Sequence, residues 1–282
     1  MARNLGLDEV VDHFTLIGDE LELLRNKSGA TRLGFAVLLK YVVWRGRFPP
    51  GSHELPDDAI AHLARQVRVG ARELESYDFT SRTAQRHRTE IRAYTGFREC
   101  SVADAETLTR WLAEHVASIE RREQRVREEL LARCREQLIE PPTPDRVGEI
   151  TRSALHRAEQ ALLGLIAARV DAAAIDRLEA LIAVSDDELD DGEDVLALIK
   201  AAPGNVSLDT MLVEIAKLEA IRAIGLPSDL FADVAPVVVN AWRARAAVES
   251  PSHLREHPQP TKLALLCALL VVREREVTDT LA

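Results

Sequence analysis

YDFTSRTAQRHRTEIRAYTGF, residues Tyr77–Phe97, is the stretch that decides the fold prediction. Thr80 or Ser81 can cap a helix N-terminus, because a hydroxyl oxygen accepts a hydrogen bond from a free backbone N–H. Gly96 can end that helix in the left-handed conformation that most residues avoid. The stretch therefore predicts a helix over Arg82–Tyr94, between a polar cap and a glycine stop.

The predicted helix has two dissimilar sides. At about 100° per residue, its apolar side holds Ala84, Ile91 and Tyr94. The opposite side carries no carboxylate and consists of five side chains, Arg82, Gln85, Arg86, Thr89 and Arg92. Guanidinium, amide and hydroxyl groups are those that hydrogen-bond phosphates and base edges in DNA complexes. This side predicts DNA contact, although an ordinary solvated helix face is the alternative.

Two helical segments precede the basic helix. The first starts at Pro56 and continues to Val67, since proline suits the first turn of a helix. A turn at Val69 and Gly70 then leads to a short helix over Ala71–Tyr77. Three short helices with the basic one last are typical of helix-turn-helix and homeodomain-like modules, which place the last helix in the DNA major groove. The layout adds three candidate DNA contacts: Arg68, Arg72 and Arg88.

A second basic group lies earlier in the chain, near the turns on either side of a mostly apolar helix over Ala30–Trp44. Its side chains can contact phosphate, or can simply form a solvated face. The candidate DNA contacts in this group are Lys27, Arg32, Arg45 and Arg47.

Composition and charge limit the function classes. Among the 282 residues, 46% are apolar, 29% are charged and 4% are aromatic, which favours packed helices. The net charge is −10, which argues against a general polycation for nucleic acid. The charge is uneven, because residues 1–140 hold 22 basic and 23 acidic side chains while residues 141–282 hold 14 and 23. Residues 65–98 have a net charge of +4, with eight arginines and four acids.

The predicted organisation is all-α, in three parts. Residues 1–50 form a first helical DNA-binding module, and residues 51–140 form a second, helix-turn-helix-like module with a long charged helix. The proline-rich EPPTPDR segment, residues 140–146, then leads to an acidic helical scaffold over residues 141–282. The acidic run over residues 185–194 predicts a loop that caps the next helix, because its spacing does not fit an EF-hand.

Other classes of function have little support. Cys100, Cys134 and Cys267 are widely separated, which predicts neither a disulfide framework nor a zinc module. No phosphate-binding loop, nucleophile elbow or zinc-protease motif occurs, so we assign no catalytic residue and no metal ligand. The longest apolar run, Leu263–Val272, is too short to span a bilayer, and the N-terminus has no apolar signal core. We therefore expect a cytoplasmic protein without a membrane partner.

Four blocks resemble the N-terminal region of the Tn-three-family transposases, the enzymes of replicative class II transposons. The blocks, which occur in the family's order over nearly the whole chain, are HFTLIGDELELLRNKSGATRLGFAVLLKYVVWRGRFP, YDFTSRTAQRHRTEIRAYTGFR, WRARAAVESPSHLREHP and LLCALLVVREREVTDTL. Position 79 is Phe where the family pattern favours a tryptophan-like aromatic residue, which is a mild departure.

The resemblance implies double-stranded DNA as the partner, at the terminal inverted repeats of the transposon. It also implies that the catalytic DDE carboxylates and their magnesium belong to a C-terminal RNase H-like domain. Since the chain ends inside a good helical pattern, before such a domain, we expect DNA recognition without chemistry and no cofactor here. The alternative is a helical interaction or dimerisation scaffold that does not bind specific DNA, and a homodimer is possible under either hypothesis.

Overall fold

A computed structural model describes residues 5–183, 195–202 and 207–281. The predicted acidic loop over residues 185–194 lies outside these described residues. The all-α prediction is confirmed, because helices dominate the described chain. The helices are α1 Leu7–Phe14, α2 Asp19–Glu22, α3 Gly29–Arg45, α4 Asp57–Val67, α5 Arg82–Thr95, α6 Val102–His115, α7 Glu123–Glu136, α8 Pro144–Arg169, α9 Ala172–Ala180, α10 Val195–Lys200, α11 Leu208–Ala223, α12 Pro236–Val248, α13 Pro251–Glu256 and α14 Gln259–Leu281.

The chain divides into two compact units. The first unit comprises Met1–Leu108 and Arg127–Ile150, and the second comprises Thr109–Val126 and Thr151–Ala282. The proline-rich segment over residues 140–146 lies within the first unit. The predicted division into three functional parts stays a prediction.

The first unit is built around α3. This helix is buried continuously from Leu33 to Val42, as expected for a helix that is apolar on every side. Helices α1, α4 and α5 pack against it, and one hydrophobic cluster extends from Leu5 to Phe97. The buried Lys40 is neutralised by Glu20, with both carboxylate oxygens 3.1 Å from the ammonium nitrogen. Residues 5–97 therefore share one core, in which α5 is held by α3.

The segment between α4 and α5 differs in detail from the prediction. The short second helix is a 3₁₀ helix over Ala71–Ser76, a form common for single turns. The left-handed residue that ends α4 is Arg68, with φ 58°, whereas Gly70 has an ordinary φ of −64°. The helix-turn-helix assignment itself stays a prediction.

A short parallel pairing closes the first unit. β1, Arg98–Glu99, follows α5 directly, and β2, Ile139–Glu140, follows α7. Arg98 is in register with Ile139, and Glu99 with Glu140. The pairing is too short to have a sequence signal, but it brings Glu140 beside the end of α5.

The second unit is built around α14. Its residues from Leu263 to Leu270 are buried, and α11 and α12 pack against the helix. The side chains of Phe231 and Trp242 belong to the same cluster. The apolar run that was too short for a membrane span is thus the centre of a helical core.

Candidate nucleic-acid interface

Helix α5 begins at Arg82 as predicted and ends at Thr95, one residue after the predicted Tyr94. The Ser81 hydroxyl oxygen accepts a hydrogen bond from the backbone N–H of Ala84 at 3.2 Å. Gly96 adopts φ 80° and its N–H donates to the carbonyl of Arg92 at 2.9 Å. The preceding turn is fixed by Asp78, whose carboxylate accepts from the Thr80 N–H at 2.8 Å. Local capping therefore sets the position of the basic side chains along this helix.

The buried side of α5 consists of Ala84, His87 and Ile91. The assignment of Tyr94 to this side was wrong, because its side chain is 44% exposed. His87 takes its place, since positions 84, 87 and 91 lie one above another on a helix. The Nδ1 atom of His87 is 2.8 Å from the Tyr77 hydroxyl.

Burial shifts the pKa of both groups in the Tyr77–His87 contact. Burial lowers the pKa of His87, and the nearby charge of Lys27 lowers it further. Burial also raises the pKa of Tyr77 well above its usual value. His87 packs edge-on against Phe35 of α3, with ring centroids 5.1 Å apart. The contacts of His87 with Tyr77 and Phe35 therefore hold α5 against the core.

The opposite side of α5 is open to solvent. Arg82, Gln85, Arg86 and Thr89 are exposed and line one shallow depression together with Glu90 and Ala93. The Thr89 hydroxyl donates to the Gln85 carbonyl at 3.1 Å. Within the described part of the chain, the side chains of Arg82, Gln85 and Arg86 form no hydrogen bond or ion pair. Two guanidinium groups and one amide are therefore exposed together.

Arg92 and Arg88 lie on one flank of α5 rather than on its open face. Arg92 donates two hydrogen bonds to Glu140, at 2.7 and 2.9 Å, and pairs with Glu99 at 2.8 Å. These hydrogen bonds to Glu140 raise the pKa of Arg92. Arg88 is half-buried, and its buried Nε atom has no hydrogen-bond partner. The guanidinium groups of Arg88 and Arg92 lie over the Phe48 ring, 5.6 and 5.5 Å from its centroid respectively.

The second predicted basic group is mostly engaged inside the first unit. Lys27 is 8% exposed and donates to Glu90 at 2.9 Å, while its ammonium lies 4.1 Å from the centroid of Phe35. Arg47 donates to Glu54 at 2.7 Å. Arg32 is half-buried, and Arg45 is exposed and stacked on Trp44.

The remaining predicted contacts, Arg68 and Arg72, are exposed at the end of α4 and on the 3₁₀ helix. The structure thus brings Arg82, Gln85, Arg86 and Thr89 together on one face. It engages Lys27, Arg47 and Arg92 with carboxylates instead.

The part of the chain that contains α5 matches a known protein family. The family model described as Domain of unknown function (DUF4158) matches residues 2–154, more than half of the chain. The chain belongs to this family. The DUF4158 match spans α5, its flanking turn and the short β pairing.

Three curated relatives are transposases. The chain is 26% identical over 278 residues to the transposase for transposon Tn21 of Escherichia coli, which covers 96% of this chain and 27% of that protein. It is 31% identical over 108 residues to the Tn501 transposase of Pseudomonas aeruginosa, covering 38% of this chain and 11% of that protein. For the Tn1546 transposase of Enterococcus faecium, identity is 23% over 274 residues, 95% of this chain and 27% of the relative.

These matches confirm the resemblance to Tn-three-family transposases that the four sequence blocks carry. The chain spans about a quarter of the length of the Tn21 and Tn1546 transposases.

The described residues contain neither a candidate metal centre nor a candidate membrane span. No group of three or more His, Cys, Asp or Glu side chains there is placed to hold a metal ion. None of the helices in those ranges has the length and apolar character needed to cross a membrane.

Sequence reasoning missed Phe48, Glu140 and the Tyr77–His87 contact. Glu140 lies 48 positions after Arg92, and no local spacing rule reaches that far. His87 does have a local signal, since it lies three residues after Ala84 and four before Ile91 on the buried side.

Proposed function

We propose that this DUF4158 chain binds double-stranded DNA at the terminal inverted repeats of a transposon, as part of a transposase acting in replicative transposition. One observation carries the proposal. Arg82, Gln85 and Arg86 are exposed together on α5 without partners among the described residues, whereas Lys27, Arg47 and Arg92 are paired with carboxylates. A face of unpaired donors on a capped helix is suited to an external acceptor.

The chemistry of the face fits a DNA major groove. Arginine donates two hydrogen bonds to guanine, and glutamine pairs in the same way with adenine, while either can donate to phosphate. An α-helix fits the width of the major groove, and Arg68 and Arg72 are exposed on the segments just before α5. We therefore assign base contacts to Gln85 and Arg86, and phosphate contacts to Arg68, Arg72 and Arg82.

The overall charge of −10 is compatible with this role. Screening limits the reach of exposed charges to about 8 Å at physiological ionic strength, so the arginine-rich stretch over residues 65–98 can attract phosphate although the whole chain is acidic. The names of the three relatives support transposition as the setting, and this chain's own DNA target is expected at the ends of its element.

Electrophoretic mobility shifts with the full chain test the proposal. We expect nanomolar-class binding to a duplex carrying the inverted repeat, and binding weaker by 10³-fold or more to a scrambled duplex. Equal affinity for both duplexes would remove the claim of specificity, and no shift with either would remove the claim of DNA binding. Arg146→Ala is the charge-matched control for substitutions on α5 such as Arg86→Ala, because Arg146 lies outside α5 and pairs with Glu149.

A specific observation also favours the alternative hypothesis of a dimerisation scaffold. On α11, Leu208, Met211, Leu212 and Ile215 are all exposed and lie on one side of the helix. A second copy of the chain could cover this stripe in a two-fold arrangement. Light scattering should then report a dimer that Leu212→Glu converts to a monomer, and DNA should leave its mobility unchanged.

A further inference from the structure

A groove in the first unit is lined by four arginines and one aromatic ring. It encloses about 550 Å³ and contains Arg47, Arg88, Arg92 and Arg127, with Phe48 and a proline-rich wall. The wall comes from Pro49 and Pro50 after α3 and from the prolines between β2 and α8. Proline has no backbone N–H and holds its φ near −65°, so these walls are stiff and leave the arginines as the main donors.

Two of the four cations are already neutralised. Arg47 pairs with Glu54 at 2.7 Å, and Arg92 pairs with Glu140 at 2.7 Å. Both carboxylates also lie in the groove lining.

The other two cations have no anion among the residues that the structure describes. Arg88 and Arg127 are both half-buried, and neither forms an ion pair or side-chain hydrogen bond with any described residue. The Nε atom of Arg88 is buried without a partner. Since a buried donor normally finds an acceptor, and burying an unpaired charge is unfavourable, these groups point to an anion from outside the chain.

The position of the groove relates it to the open face of α5. At about 100° per residue, Arg88 and Arg92 lie next to Gln85, on the same arc of roughly 160° that ends at Arg86. When a helix lies in a major groove, side chains at its edge approach the backbone that borders the groove. Arg88 is therefore placed for a phosphate, while Gln85 and Arg86 face the bases.

We infer that this groove clamps one backbone phosphate of the bound duplex between the guanidinium groups of Arg88 on α5 and Arg127 on α7. The inference rests on the proposed DNA binding, and it assigns Arg127 a role that no helix-turn-helix pattern includes. Glu54 and Glu140 hold Arg47 and Arg92 in place, so the phosphate meets a fixed frame. Contacts of this kind set the register of a protein on DNA and carry no base preference.

Salt dependence of binding tests the clamp. Arg127→Gln should weaken binding about tenfold on both the inverted repeat and the scrambled duplex, since a lost charge-assisted bond affects every sequence. The slope of log Kobs against log salt should fall by about 0.9 for the one lost phosphate contact. Arg127→Lys should keep most of the slope. Arg133→Gln is the matched control, because Arg133 is on the same helix, pairs with Glu136 and lies outside the groove.

Neutral phosphate analogues locate the contact. In a set of inverted-repeat duplexes, each with one methylphosphonate linkage, the unaltered chain should lose affinity at one linkage bordering the α5 footprint. Arg127→Gln should be insensitive to that linkage and keep its sensitivity elsewhere. A variant that has merely lost its fold would lose binding to every duplex, and thermal denaturation identifies it independently.

The outcomes separate the two claims. If the unaltered chain binds neither duplex, the proposed function and the clamp both fail. If it binds and Arg127→Gln keeps the full salt slope and the same methylphosphonate pattern, the clamp alone is overturned. Loss of discrimination between the two duplexes in Arg127→Gln would also overturn it, because that result indicates a base contact.

Discussion

Arg92→Ala should destabilise the first unit, because Arg92 joins α5 to β2 through Glu140. The side chain of Glu140 is 13% exposed and that of Arg92 is 25% exposed, so the pair is largely removed from water. Removing the guanidinium deletes two short charge-assisted hydrogen bonds and leaves a nearly buried carboxylate unpaired. Fully buried pairs lose about 3–5 kcal/mol in this way. The partial exposure of Arg92 reduces the expected loss to about 2–4 kcal/mol.

The other contacts of Arg92 change this value little. Glu99 is 73% exposed, and exposed pairs contribute about 0–1 kcal/mol. The contact with the Phe48 ring adds about 0.5–1 kcal/mol. The stabilisation is therefore concentrated in the bond to Glu140.

Native-state hydrogen exchange measures the effect in the right unit. Chains with two compact units need not unfold in one step, so a single melting temperature would mix them. Amides of α5 should lose protection by about 2–4 kcal/mol in Arg92→Ala, while those of α14 in the second unit remain unchanged. A double-mutant cycle with Glu140→Ala should give a coupling energy above 1 kcal/mol. A coupling below about 0.5 kcal/mol would refute the assignment of Arg92 as a structural cation.

Three further predictions concern the same helix and its support. Arg86→Ala should weaken binding to inverted-repeat DNA by about 1–3 kcal/mol in a mobility-shift titration and reduce discrimination at one base pair; an equal loss on scrambled DNA would contradict a base contact. Burial lowers the pKa of His87 from its usual 6.5, so the imidazole binds a proton more readily in the unfolded chain than in the folded chain. The free energy of unfolding should therefore fall as pH drops below about 6.5 and level off below the folded pKa. In denaturant titrations across pH, His87→Phe should lack that dependence. A variant with the same pH profile as the unaltered chain would contradict the role given to His87. Gly34→Ala should cost about 1–3 kcal/mol in hydrogen exchange of α3, since a Cβ there would overlap the Tyr77 ring, whereas Gly164→Ala, with open space around it, should not destabilise α8.

Local signals explain which parts of the fold could be predicted. The Ser81 cap and the Gly96 stop each depend on one residue and its immediate neighbours, and both are present as expected. The start of α8 at Pro144 and the core helix α14 follow from the same kind of signal, a proline in the first turn and a run of apolar residues. Such signals act within about four residues, the distance over which a helix closes its own hydrogen bonds.

Ion pairing is the part that local patterns could not supply. A helical wheel treats Arg82 and Arg92 alike, since both are basic and both lie opposite the apolar side. Only the β1–β2 pairing brings Glu140 to Arg92, and only the packing of α5 on α3 brings Lys27 to Glu90. Partners 48 and 63 positions apart depend on the tertiary fold, so a helical wheel cannot show which cations are paired.

The separation of roles around α5 explains how an acidic chain can present a local basic surface. Its buried side, Ala84, His87 and Ile91, faces almost directly away from the open face that holds Arg82, Gln85 and Arg86. Between them, one edge holds the Lys27–Glu90 pair, and on the other edge Arg92 is neutralised by Glu140 while Arg88 keeps an unpaired Nε atom. Carboxylates placed at the edges do not weaken that face greatly, because each is already paired with its own cation. Under the proposed DNA binding, these carboxylates oppose a polyanion that approaches in a different orientation, so they favour one way of docking α5.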